Sequence, residues 1–275
     1  MRRALGQALR IGVSGSAVSL LRTSRWRGEP LTLLAEHAFE PSSVHPHDAI
    51  AHALRALLDE RGLSGWPVSI VLADELVRMW QVTPPQGATR LADIEAAAAL
   101  RFQSLYGESP GAWKLMADWD VRHAFFAAAV PRTLLAVLEQ VASEHQLGIV
   151  EIVPHFVGAW NRWQGALKAG AWFGLVHDNL LTLGAVQGRR LQAVRALPVP
   201  HGADQHWLTQ TLTREALLLD LETPTLLQLC GAAPAVWTKP VLNAAHIPCA
   251  AIDQAQRIVD GMSVAAMLAR GGSAI

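Results

Sequence analysis

Several groups of side chains are of types that do chemistry. His45, His47 and His52 lie around Asp48, and imidazoles with a carboxylate form a common zinc ligand set. Their spacing runs from a loop containing Pro46 into a helix, with no Cys or Glu at a recognised zinc interval, so the expectation is a solvated loop and no metal. Asp118 and Asp120 flank Trp119 as a D-x-D pair, which holds divalent cations in some proteins; at a hairpin, Asp is needed for the backbone of its own turn, and that is the reading taken. His177 and Asp178 could act as an acid–base pair. Asp178-Asn179 is also ordinary turn chemistry between strands, and the sequence pairs no nucleophile with it. Ser14, Ser16 and Ser19 lack a G-x-S-x-G elbow, so a hydrolase triad has no starting point. No catalytic residue is expected from these groups.

The elements that must position these residues follow from periodicity. Residues 10–13 and 17–22 read as short strands joined by the small residues Ser14, Gly15 and Ser16, a third strand covers 31–39, and apolar spacing at Ile50, Leu54, Leu57 and Leu58 predicts a helix over 48–61. The short, β-branched run 68–72, apolar apart from Ser69, predicts a strand buried on both faces. Pro84, Pro85 and Gly87 mark a boundary before an Ala-rich helix over 91–105, a hairpin of 113–119 with 123–130, and a helix opened by Pro131. A strand over 149–153 closes this half. Strands over 171–176, 180–186 and 191–197, a helix over 204–221 and a buried strand over 226–230 repeat the order strand, strand, strand, helix, strand, which reads as a structural duplication.

Composition excludes several classes. The chain has 275 residues, above the ~100–200 of a typical domain, so one large or two medium domains are expected. Apolar residues make up 51% and charged residues 17%, which places it among globular proteins and away from disorder. Lys plus Arg and Asp plus Glu each total 23, so no net field draws nucleic acid. Cys230 and Cys249 cannot build a disulfide framework, and with no recognisable secretory leader the expected compartment is reducing and cytoplasmic. The run 171–186 is interrupted by His177, Asp178 and Asn179, so no spanning helix is expected. Residues 1–10, with Arg2, Arg3 and Arg10 around Leu5, Ala8 and Leu9, read as a frayed helical terminus or a weak interfacial helix.

The duplicated β-β-β-α-β order with an insertion in the first half resembles the actin-like ATPase (ribonuclease H-like) fold, as used by the type IV pilus assembly protein PilM, the cytoplasmic domain of the type II secretion protein GspL and the MSHA pilus protein MshI. The resemblance spans 11–270 and is most specific over 171–198, where Leu180-Leu181-Thr182-Leu183, a turn at Gly188, and Arg195-Ala196-Leu197-Pro198 match the layout of the second phosphate hairpin. The segment 262–270 looks like the terminal helix. The order of the pieces carries the resemblance more than any one motif. It implies a two-lobed α/β protein: a first lobe over 10–153 holding an inserted α/β subdomain at about 84–147, a reduced second lobe over 154–249, and 250–275 as a helix returning to the first lobe.

ATP-binding members of the fold carry a first-hairpin pattern like G-x-D-x-G-S-x-x-V-K. Aligned on Val18, this chain has Gly12 at the Asp position and Ser19 at the Lys position, with Ser14, Gly15 and Ser16 in the turn. The second-hairpin Asp falls near Gly174, or at Asp178 with a different gap. Where paired glycines approach adenosine, the chain reads Cys230-Gly231-Ala232. Residues 198–225 have room for one helix where relatives place a further subdomain that walls the nucleotide cleft. Gly12, Ser14, Gly15, Ser16, Gly174 and Gly231 are therefore expected to be vestiges of nucleotide loops, with neither ATP nor Mg as cofactor.

The resemblance points to an assembly scaffold peripheral to the inner membrane, binding the cytoplasmic N-terminal tail of a bitopic pilus or secretion protein and, in some assemblies, a cytoplasmic ATPase. The alternative is an ATP-binding actin-like protein or a sugar-kinase-like enzyme. The chain has ten tryptophans, a residue enriched at interface anchors; Phe156, Trp160 and Trp163 sit at helical spacing suited to packing the lobes together, while Trp80, Trp113 and Trp119 border the insertion, where the resemblance implies that the partner peptide docks.

Overall fold

A computed structural model describes residues 6–24, 31–41, 46–59, 61–88, 90–240, 246–253 and 262–271. Residues 1–5 of the expected N-terminal helix and His45 lie outside them. Within them Gln7 already begins a strand, so the stretch from Gln7 to Arg10 is not helical. Its run is buried almost throughout, and the hydrogen bonds of its backbone go to neighbours on both sides.

The first sheet holds β1 (Gln7–Val13), β2 (Ala17–Ser24), β3 (Thr32–Ala38), β4 (Pro67–Leu72) and β8 (Gly148–Pro154) in the order β3-β2-β1-β4-β8. Its first three strands are antiparallel, and the β1-β4 and β4-β8 pairs are parallel. The second sheet repeats this with β9 (Ala171–His177), β10 (Leu180–Gln187), β11 (Arg190–Pro198), β12 (Leu226–Gly231) and β13 (Cys249–Ala251), in the order β11-β10-β9-β12-β13. Antiparallel and parallel pairs fall at the same places. The duplication expected from element order is thus present in strand direction as well. Cys249–Ala251 is a strand of the second sheet, so the segment from residue 250 onward does not begin as a helix.

Between β4 and β8 the chain builds a third sheet from β5 (Arg78–Val82), β6 (Trp113–Ala117) and β7 (Phe125–Pro131), ordered β5-β7-β6 and covered by α2 (Leu91–Tyr106). Gly107 ends α2 in the left-handed conformation at φ 68°, its N–H returning to the Gln103 carbonyl at 2.8 Å. The inserted sheet starts at Arg78, ahead of the expected boundary near 84. Helices α1 (Pro46–Leu58) and α3 (Arg132–Glu144) bury Ile50, Leu54, Leu57, Leu134 and Leu138 against the first sheet. On the second sheet α5 (Gln205–Leu218) is capped by the Asp204 side chain, which accepts from the Trp207 N–H at 2.9 Å.

Two helices cross between the lobes. α4 (His155–Trp163) leaves β8 and lays Phe156 and Trp160 against Phe173 of β9, with ring centroids 5.6 and 5.8 Å apart. The Phe156 and Trp160 rings are themselves stacked, 9° from parallel. α6 (Val264–Arg270), started by Ser263 accepting from the Ala266 N–H at 3.0 Å, returns to pack on β1, β2 and β4. Among the described residues no helix is long and apolar enough to cross a membrane. Phe156 is fully buried at this junction, so Phe156→Ala is expected to lower unfolding stability by about 3–5 kcal/mol, read from the midpoint of urea denaturation.

Candidate functional site

Between the lobes, α4 and α6 face the ends of β9 and β12, and of the glycine positions singled out in the sequence Gly231 lines the cavity left there. The first hairpin turn is closed upon itself. Ser14 Oγ accepts from the Ala17 and Ser16 amides at 3.0 and 3.4 Å, the Ser14 amide donates to the Ala17 carbonyl at 2.9 Å, and the Gly15 amide donates to the Glu75 carboxylate at 3.1 Å. Amides of a nest that holds phosphate point outward. Here the chain's own serine and glutamate occupy them.

Gly12 faces α6. A Cβ placed on it would lie 2.7 Å from the Ala269 nitrogen, 2.8 Å from Ser19 Oγ and 3.1 Å from the Ala265 carbonyl oxygen. Ser19, the cross-strand partner of Gly12, donates its hydroxyl to that carbonyl at 2.6 Å, and Arg10 Nη1 donates to the Arg270 carbonyl at 3.2 Å. The positions that the resemblance gives to Asp and Lys form the seat of a helix.

In the second hairpin the expectation for Gly174 needs correction. A Cβ there would meet Leu229, Leu181 and Leu227, so Gly174 faces the apolar core of the second lobe. Strand side chains alternate, and the residue turned toward the cleft is Leu175, buried with Phe173 and Phe156 in the core shared by the lobes. Asp178 sits exposed in the turn at φ 51°.

Gly231 has φ 83°, and a Cβ there would lie 2.1 Å from the Val176 carbonyl oxygen. Its amide donates to Asp253 Oδ2 at 2.9 Å, while the Ala232 amide donates to the Val176 carbonyl at the same distance. The close approach that requires glycine is to the protein's own strand. Between β11 and α5 the chain has only residues 199–204, where the Ala203 carbonyl accepts from Trp237 Nε1 at 2.9 Å. A cavity of about 80 Å³ remains between α4, α6 and the ends of β9 and β12, lined among others by His155, His177, Gly231 and Arg270. Small-molecule sites span about 300–1,000 Å³.

The side chain that joins the lobes is Asp74, in a single 3-10 turn (Asp74–Leu76) after β4. It is 4% exposed; Oδ1 accepts from the Phe156 amide at the start of α4 at 3.0 Å, and Oδ2 lies 2.7 Å from the Thr182 hydroxyl of β10. Burial pushes its carboxyl up to about 7, the two hydrogen bonds opposing the shift. His155 is pushed down to about 3, first by burial and then by His177, whose ring stands edge-on to it at 5.6 Å. Burial also lowers His177. Both imidazoles are therefore neutral near pH 7, and among the described residues the buried His155 Nδ1 has no hydrogen-bond partner.

Asp74 also floors a groove of about 480 Å³ between the insertion and the second lobe, whose polar lining comes from Glu75, Arg78, Tyr106, Glu108 and Arg195. Arg78 pairs with Glu108 at 3.3 Å and lies over the Tyr106 and Trp113 rings, 5.5 and 5.3 Å from their centroids. The tryptophans expected to grip a partner do not line it. Trp80 and Trp113 are 2% and 8% exposed and pack on Phe102 at 5.2 and 5.5 Å, because the small inserted sheet has few other large residues to fill its core against α2. Trp119 is half-buried against Phe125.

The remaining candidates are structural. His47 Nδ1 shares a hydrogen bond with Thr133 Oγ1 at 2.9 Å, His52 is exposed, and among the described residues no three His, Cys, Asp or Glu side chains converge as a metal site. Asp120 accepts from the Arg122 amide at 2.7 Å and the His123 amide at 3.2 Å and lies 3.0 Å from His123 Nδ1; the Arg122 amide and then the His123 ring hold its carboxyl below the ordinary range. Sequence reasoning missed Asp74 and Glu75. Their one signal is an acidic pair one residue after a mostly apolar strand.

No protein-family model and no curated protein matches the sequence. Solved structures do. A Bacteroides thetaiotaomicron protein with an actin-like ATPase fold and unknown function is similar over 84% of both chains, at 11% identity and TM-score 0.58. The fold is that of the actin-like ATPases. The cytoplasmic domain of EpsL, an inner membrane component of the Vibrio cholerae type II secretion system, is similar over 96% of this chain and 94% of its own, at 12% identity and TM-score 0.56. The PilM–PilN type IV pilus biogenesis complex is similar over 82% of this chain and 81% of the other, at 17% identity and TM-score 0.57.

The seat at position 12 makes a sharp contrast available. Gly12→Ala is expected to destabilise by about 1–3 kcal/mol, because the atoms that must yield include α6 backbone, and Gly12→Asp by more. Gly15→Ala, whose Cβ would meet nothing closer than Glu75 Oε1 at 3.9 Å, should stay within about 0.5 kcal/mol of wild type in the same urea titration.

Proposed function

We propose that this protein is a non-catalytic scaffold at the cytoplasmic face of the inner membrane in a type IV pilus or type II secretion assembly platform, where it binds the cytoplasmic tail of a membrane partner. The observation that carries the loss of chemistry is the approach of α6 to Gly12: an aspartate at this position has no space unless the helix moves. Three further features support it. Gly15 is held by Glu75, the cleft side of the second hairpin presents Leu175, and the cleft lacks the wall that a subdomain between β11 and α5 would provide. ATP, Mg and structural metals have no role in this reading.

The binding role draws on the likeness in fold to EpsL and to the PilM–PilN complex. Within this chain the groove beside β5 is the place for a docked tail. It has walls from the first lobe, the insertion and the second lobe, and mixed charge from Glu75, Glu108, Arg78 and Arg195 for recognising polar side chains. The tryptophans of the insertion serve by keeping Arg78 and β5 rigid. A cytoplasmic assembly ATPase is a second partner of the same platform.

Two measurements test this. In a thermal shift assay Mg-ATP is expected to leave the melting temperature unchanged. A ligand at 100 times its Kd adds about 2.7 kcal/mol, and an upward shift of that size would favour an ATP-dependent enzyme instead. In a pull-down, cytoplasmic tails of inner-membrane pilus and secretion proteins should include one that binds, with Arg78→Ala weakening it about tenfold, the effect of ~1.4 kcal/mol. Absence of binding to every such tail would sink the scaffold reading.

A further inference from the structure

We propose that Asp74 is a proton-carrying latch between the lobes: its carboxyl is neutral while the Phe156 and Thr182 contacts are made, and bringing the lobes together takes up one proton. This goes beyond the scaffold reading and holds whatever occupies the groove.

The geometry carries the inference. Asp74 belongs to the first lobe, Thr182 to the second, and the Phe156 amide opens the helix that crosses between them, so one carboxyl group ties all three. A buried carboxylate is tolerated when a cation or several donors compensate it. Asp74 has one amide, one hydroxyl and 4% exposure. The charge acting on it most directly is that of its neighbour Glu75, which repels a second negative charge. Arg78 from β5, Glu108 beyond α2 and Arg195 from β11 line the rim of the groove, where Arg78 is held by Glu108 and Arg195 by Glu215 at 3.6 Å. On the α4 and β9 sides stand His155 and His177, both neutral near pH 7. The two donors, the Phe156 amide to Oδ1 and the Thr182 hydroxyl to Oδ2 at 2.7 Å, favour the charged form, but with no cation in contact they do not offset the loss of water around a side chain this buried.

The pH dependence has a definite sign. The Asp74 carboxyl is raised from 3.8 to about 7 in the folded state, so its contribution is fully present below pH 3.8 and is lost as pH rises through 7. His155 runs the other way: lowered from 6.5 to about 3, it contributes stability above pH 6.5 that is lost as pH falls toward 3. The two oppose each other over the same window, so a wild-type stability profile cannot report the latch. A comparison with a neutral side chain of the same shape can.

The test uses the full chain. A ¹³C titration of the assigned Asp74 carboxyl is expected to have its midpoint near 7; a midpoint near 4, the ordinary range, overturns the proposal. Hydrogen exchange of the Phe156 amide is compared at each pH between wild type and Asp74→Asn, which cancels intrinsic rates and the His155 contribution. Wild-type protection should fall relative to the variant by up to about tenfold per pH unit between 4 and 7 and level off above 7. A ratio independent of pH overturns the latch. Thr182→Val, which removes the hydroxyl and keeps the carboxyl, should move the Asp74 midpoint upward; an unchanged midpoint means that Thr182 is no part of it.

Discussion

Each of the two five-stranded sheets borrows a helix from the other half of the chain. α4 leaves the first lobe to cover β9, and α6 comes back from the second to cover β1 and β2, so neither lobe has a complete core alone. An apolar sheet face left open to water costs about 25 cal/mol for every Å² exposed, and the exchange removes that cost for both faces at once. The cleft, the groove and the polar tie at Asp74 all lie where the exchange brings the lobes together.

What the exchange requires is closeness. α6 can lie against β1 only because residue 12 has no side chain, and Ser19 and Arg10 then hold its carbonyls. At Gly231 the cause is conformational: a φ of 83° turns the Cβ position onto the Val176 carbonyl of the paired strand. Glycine in a nucleotide fold suggests room for a ligand. In this chain the glycines of the cleft make room for protein.

Much of the fold was legible in the sequence because strands buried on both faces leave mostly apolar runs, as in Val68 to Leu72 and Leu226 to Cys230 with Ser69 and Gln228 as their single polar residues, and because turns and caps carry small or acidic residues such as Gly15, Gly107 and Asp204. β5 was not legible: Arg78 to Val82 mixes polar and apolar residues and follows Leu72 without a Gly or Pro marker. Gly12 faces α6, while Gly174 faces the second-lobe core and its neighbour Leu175 the shared core, because adjacent residues of a strand point to opposite faces and sequence order alone does not say which. Trp80 and Trp113 were misread because residue type alone does not separate an interface anchor from the core of a small sheet. Asp74 escaped because its partners, Phe156 and Thr182, are 82 and 108 residues away.

The bond from Ser19 to Ala265 spans 246 residues and that from Arg10 to Arg270 spans 260. During synthesis β1 and β2 leave the ribosome long before α6 exists. The face around Gly12, where Arg10 and Ser19 sit beside Val71 and Ala73, therefore stays bare through most of translation, an unfinished sheet face of the kind that invites chaperones or aggregation. The first lobe, although first made, is among the last parts to be finished, and its completion reports that the second lobe has already been built.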